Sequence, residues 1–106
     1  MKKEVLLHLK EMLGLEDAEL AEFYDAFMSS FGECADALRN LASPAEFMEI
    51  RRVTHTLFGF SQNVGAFDLF EKATTLNTSA KAEDAAGCAT GIDAVLKLYE
   101  AYQAEP

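Results

Sequence analysis

The sequence predicts an all-α protein, an antiparallel four-helix bundle with a short additional N-terminal helix. Apolar residues step by three and four along almost the whole chain, which is the spacing of one helix face. Strand signals are missing, with no period-two alternation and no Asn-Gly or Asp-Gly hairpin turn. Prolines occur only at Pro44 and at the last residue, so little interrupts helix.

The first helix is expected over residues 2–13, with Val5, Leu6, Leu9, Met12 and Leu13 on one stripe and Gly14 as its stop. The second is expected over 17–41, with Leu20, Phe23, Phe27, Phe31, Cys34, Leu38 and Leu41 inward. Gly32 weakens it by about 1 kcal/mol relative to Ala, so a bend or frayed point is expected there. The third has the strongest start signal, Ser43-Pro44-Ala45-Glu46. Ser suits the N-cap, Pro the first helical position, and Glu46 can reach back to the cap. This helix runs to Val64 and stops at Gly65. A fourth covers 66–80, with Leu69, Phe70, Ala73 and Leu76 inward, and the polar stretch from Asn77 to Asp84 contains a turn. The fifth covers 84–103, with Cys88, Ile92, Val95, Tyr99 and Tyr102 on its stripe. Five amphipathic helices with short connections must bury their stripes against one another, and a bundle of the last four, covered at one end by the first, does so economically.

Composition narrows the function. The 106 residues are one domain's worth, with no room for a separate nucleotide-binding module. Half are hydrophobic, as a packed core requires. A formal charge of −9 argues against nucleic acid and against an anionic membrane surface, both of which attract Lys and Arg. Cys34 and Cys88 have no metal-ligand spacing, so no metal is expected, and two buried, reduced thiols are the simplest reading. The amphipathic N-terminus is unlike a signal peptide, and no apolar run is long enough to span a bilayer. A cytoplasmic, free-standing monomer is the expectation.

The informative residue is His55. Successive helical residues rotate by about 100°, which gathers Phe47, Ile50, Val53, Leu57, Phe60 and Val64, with Thr54 and Ser61, into one core-facing arc. By the same rotation His55 lies about 150° from the centre of that arc and points outward. Met48, Arg51, Arg52, Phe58, Gly59 and Gln62 share its outer face. Met48 and Phe58 are apolar where solvated residues are usual, and Gly59 is a poor mid-helix residue one turn past the histidine. The two arginines add positive charge. Together they make a docking surface for something acidic or phosphorylated.

The spacing His55, Leu57, Gly59, Ser61, Gly65, Ala66, followed by Leu69 and Leu76, resembles the signature of histidine-containing phosphotransfer (HPt) domains. The likeness extends over nearly the whole chain. It implies a four-helix bundle whose exposed histidine accepts a phosphoryl group from an aspartate of one receiver domain and donates it to another. Carried over, His55 is the phospho-accepting site, Gly59 leaves room for the phosphoryl group and the receiver loop, Leu57 and Ser61 hold the helix on the core, and Gly65-Ala66 turns into the next helix. One position departs: the family's lysine three residues after the histidine is here Phe58. Arg51, one turn before His55, is the candidate replacement for that charge, with Arg52 beside it.

An unperturbed imidazole, with a pKa of about 6.5, is mostly neutral near pH 7 and can act as a nucleophile. No Gly-rich phosphate loop is present, so the chain is expected to use no ATP and to bind no cofactor of its own, the receiver supplying Mg²⁺ and a lysine. The expected partners are receiver domains of response regulators or hybrid histidine kinases. Two other readings stay open: a degenerate HPt-like module that docks without accepting phosphate, favoured by Phe58, and an unrelated structural bundle or dimerising adaptor. No Ser/His/Asp set shares a face, which argues against a hydrolase.

Overall fold

The computed structural model describes residues 1–105. Five helices follow one another: α1 (Lys2–Leu13), α2 (Asp17–Arg39), α3 (Phe47–Val64), α4 (Phe67–Lys81) and α5 (Ala85–Ala104). Helix α3 packs on α2 and α4, and α5 packs on α4 and α2, which closes a ring of four. Short connections make neighbours antiparallel. Helix α1 lies against α2 and α3. This is the all-α bundle expected from the periodicity. Among the described residues no helix is long and apolar enough to cross a membrane.

The core is drawn from every helix: Val5 and Leu9, then Phe27, Phe31 and Leu38, then Ile50, Val53 and Leu57, then Leu69 and Leu76, then Val95 and Tyr102, all nearly sealed from solvent. Each buried Leu, Ile, Val or Phe side chain contributes about 1.5–3 kcal/mol relative to leaving it in water. Phe27 and Phe31 meet the Tyr102 ring edge-on, with centroids 5.6 and 5.7 Å away. The Tyr102 hydroxyl donates to Asp68 Oδ1 at 2.7 Å, which satisfies the one polar atom that this deep ring carries. Cys34 and Cys88 are buried free thiols. Burial pushes both thiol pKa values up, that of Cys34 to about 11, so neither is poised to react near neutral pH.

Five expectations are corrected. Met12 and Leu13 are exposed, and the buried residues of α1 are Val5 and Leu9 in its first two turns. On α2, Tyr24 is buried and Phe23 is 45 % exposed. Both positions flank the stripe between Leu20 and Phe27, and the Tyr24 ring also takes the Lys2 ammonium over its face at 4.8 Å. That helix ends at Arg39, two residues short of Leu41. It neither breaks nor frays at Gly32. A Cβ there would lie 2.8 Å from the Tyr99 hydroxyl oxygen, so the glycine lets the α5 tyrosine approach α2.

The fifth correction is the start of α3. The Ser43 hydroxyl accepts from Ala45 N–H at 3.0 Å, and Glu46 Oε2 accepts from the backbone N–H groups of Ala42 at 2.7 Å and Ser43 at 3.3 Å. Those reciprocal bonds close one isolated turn, with Glu46 N–H donating to the Ser43 carbonyl. Glu46 itself then leaves helical geometry at ψ 66°, so continuous helix begins at Phe47. The side chains of the capping box act as expected, while the backbone breaks once more before the helix proper.

Candidate functional site

Helix α3 sets the site by having two unlike faces. Ile50, Val53, Thr54, Leu57 and Ser61 are all buried, and they fix the rotation of the helix about its axis. That rotation leaves His55 exposed near the middle of the helix. Gly59, one turn on, is exposed as well. A Cβ built on it would meet no side chain or neighbouring element within 4 Å among the described residues. The nucleophile candidate and the open space thus lie side by side on one surface.

The end of the helix is equally defined. Gly65 adopts the left-handed conformation at φ 77°, ψ 21°. Ala66 N–H donates to the Ser61 carbonyl at 2.9 Å and Gly65 N–H to the Gln62 carbonyl at 3.3 Å. This pair of bonds is the Schellman termination, which satisfies carbonyls that α3 would otherwise leave orphaned. Gly65-Ala66 therefore makes the tight passage into α4, and Ala66 is buried beneath it.

His55 borders an open depression of about 460 Å³ between α3 and α4. From α3 it is lined by Met48, Arg51, Arg52 and Phe58. These are four of the six residues placed on the outer face by the periodicity. The other two, Gly59 and Gln62, are exposed further along α3 and lie outside the depression. Met48 is 86 % exposed, an apolar side chain held out in solvent. Phe58 is half-buried and leans on Phe70 of α4, with ring centroids 5.4 Å apart. It belongs to the α3–α4 seam as much as to the outer face.

The two arginines differ. Arg52 grips Glu49, its Nε donating to both carboxylate oxygens at 3.1 Å and its outer nitrogen to Oε1. Those hydrogen bonds hold the Glu49 carboxyl below the usual carboxylate range and raise the pKa of the guanidinium. Arg51 makes no side-chain hydrogen bond or ion pair among the described residues. Its positive charge is therefore the less compensated of the two.

Two site residues escaped the sequence reading. Asn77 and Lys81, one turn apart on α4, form the far wall of the depression. The fully buried Thr54 hydroxyl shares its proton between the Arg51 carbonyl at 2.9 Å and Asn77 Oδ1 at 3.0 Å. That contact ties α3 to α4 at the residue preceding His55. The periodicity of α4 marks both residues as off-core but carries nothing about which helix they face. The second histidine, His8, lies apart, edge-on to Phe67 with centroids 5.5 Å away.

In comparison with protein families, the chain matches the family described as the Hpt domain, over residues 22–105. Neither the curated proteins nor the solved structures contain a match.

Proposed function

Because the chain belongs to the Hpt domain family, whose members are phosphotransfer intermediates of two-component signalling and interact with receiver domains, we propose that His55 is the residue that accepts a phosphoryl group from a receiver aspartate and passes it to a second receiver. The observation that carries this reading is the exposed imidazole with open space at Gly59 one turn along the same face. Imidazole Nε2, the distal nitrogen, attacks phosphorus. The P–O bond of the aspartyl phosphate breaks, the carboxylate leaves with the electron pair, and an N–P bond forms while the Nδ1 proton stays on the ring. The return step reverses these changes on another aspartate.

Such a transfer needs in-line positioning and charge neutralisation more than covalent help. Met48, Phe58 and Gln62 form the docking face around Gly59, and Arg51 supplies positive charge on the α3 side. Arg52, paired with Glu49, is a docking contact only. A transient interface of modest area suits a protein whose partners must leave.

The test is to incubate the protein with a phosphorylated receiver and follow acid-labile, base-stable label. Wild type is expected to take the label and His55→Gln to lose it entirely. Phe58, where the family carries lysine, favours a second reading, a module that docks on receivers without accepting phosphate. Receiver binding with no label on wild type would establish that reading in place of the relay.

A further inference from the structure

Two hollows of opposite charge meet on the outer face of α3. The depression beside His55 is lined by the cations Arg51, Arg52 and Lys81. Its neighbour, at the start of the helix, is lined by the carboxylates Glu46, Glu49 and Glu83. Met48 borders both. The carboxylates are not equivalent. Glu46 is committed to the turn before α3, where it accepts from the Ala42 and Ser43 N–H groups. Glu49 instead reaches across the boundary and takes Arg52, whose Nε and outer nitrogen both donate to it. That is an edge of the guanidinium suited to gripping a carboxylate or phosphate with two N–H groups. The Arg52 side chain is 65 % exposed and that of Glu49 42 %, so the pair is open to exchange with a partner. Its hydrogen bonds hold the Glu49 carboxyl below the usual carboxylate range, which keeps the acid ionised at neutral pH.

Resting on the reading of this face as a receiver-docking surface, we infer that Glu49 is an internal competitor for Arg52, holding the guanidinium in the free protein until an acidic group of the docking partner displaces it. A receiver with a phosphorylated aspartate is such a partner, because it brings negative charge to this face. Only the fraction of molecules in which Arg52 is released presents it to the receiver, and the apparent affinity falls by that fraction. The ion pair thereby keeps docking weak, as suits partners that must leave. It acts on those receivers alone that place a carboxylate or phosphoryl group opposite Arg52. Glu49 also lies in the first turn of α3, where an acid suits the helix dipole. A role confined to the helix would change stability and leave affinity untouched, so the two roles separate by experiment.

Binding is measured by titration calorimetry with a response-regulator receiver domain whose aspartate carries beryllofluoride in place of the phosphoryl group. Glu49→Gln keeps the size of the side chain and removes its charge. It is expected to tighten binding about threefold, the scale of an exposed ion pair. Arg52→Ala should weaken binding by a similar factor. In the Arg52→Ala background, Glu49→Gln should change nothing, because the guanidinium it competes for is gone. The gain from Glu49→Gln should also shrink at high salt, where exposed charges are screened. Tightening that persists without Arg52 would overturn the inference, since Glu49 would then act only by repelling an acidic partner. Unchanged or weaker binding by Glu49→Gln would overturn it too, and a lowered melting temperature beside unchanged affinity would confine Glu49 to the helix. If the receiver binds wild type and Arg52→Ala equally, Arg52 is no docking contact and the competitor falls with it. If the receiver does not bind wild type at all, the docking reading itself fails. Label on His55 tests the relay separately, because a module that docks without accepting phosphate would still show the Glu49 effect.

Discussion

Gly59 and Gly65 sit six residues apart near the end of one helix, and the structure uses them in opposite ways. Gly59 has ordinary helical geometry and empty space where a side chain would be. Gly65 has a left-handed backbone at φ 77°, and a Cβ there would lie 2.3 Å from His8 Cγ. The first glycine costs helix stability, by up to about 1 kcal/mol relative to Ala, and leaves a surface open. The second supports stability, because the chain must turn there and because α1 closes over it. A motif in sequence lists the two alike. Only the surroundings separate a glycine kept for what may approach from one kept for what already fills the space.

The contrast is open to attack at both positions. The largest expected effect is on transfer. Gly59→Leu places a branched side chain in the open space beside His55 and should cut transfer from a phosphorylated receiver at least about a hundredfold, the order of loss seen when reacting groups are kept from in-line approach. The same change should leave the fold intact and raise stability by up to about 1 kcal/mol, since Leu is the better helix former at an exposed position. Stopped transfer in a more stable protein is the signature to look for, with denaturant unfolding measured beside the transfer assay. Normal transfer by Gly59→Leu would mean that the open space has no part in the chemistry.

Gly65→Ala should do the reverse. A non-glycine residue in the left-handed region costs about 1–2 kcal/mol. The new methyl group must also push the His8 ring away, with loss of its edge contact to Phe67. We expect about 2–3 kcal/mol of lost stability, which for a domain of this size lowers Tm by about 10 °C or more. Molecules that remain folded should transfer at the wild-type rate, because His55 and its depression lie well back along α3. A loss of transfer out of proportion to the unfolded fraction would mean that the α3 terminus positions the histidine.

Much of this arrangement was legible in the sequence, for a physical reason. The outward aspect of His55 follows from the rotation of a single helix, and that helix is pinned by its own buried arc of Ile50, Val53, Leu57 and Ser61. The stop at Gly65 is equally local, a matter of one backbone angle and two hydrogen bonds. Lys81 and Asn77 were not legible, because their place beside His55 depends on how α4 is set against α3. That register belongs to a pair of helices, and the periodicity of either one alone does not carry it. The choice of Phe23 over Tyr24 failed for a related reason: hydropathy ranks Phe higher, while the site favoured a ring that could also lie beneath Lys2.

Ser61 lies between the two glycines and sharpens the contrast with the smallest effect. It is a third position of the resemblance, it faces inward, and its side chain is fully buried. Its Oγ has no hydrogen-bond partner among the described residues. A buried hydroxyl without a partner costs about 1–3 kcal/mol of desolvation, against which the void left by removing one oxygen is minor. Ser61→Ala should therefore raise stability by about 1 kcal/mol and leave transfer unchanged, measured by denaturant unfolding and by label on His55. That outcome would assign Ser61 to the core as a small residue that lets α3 sit close to its neighbours, distinct from Gly59, whose role faces outward, and from Gly65, whose role is in the backbone. A fall in stability would instead mean that the hydroxyl is held by an ordered water within the bundle, and the polar character of the position would then be the feature that stabilises the helix carrying His55.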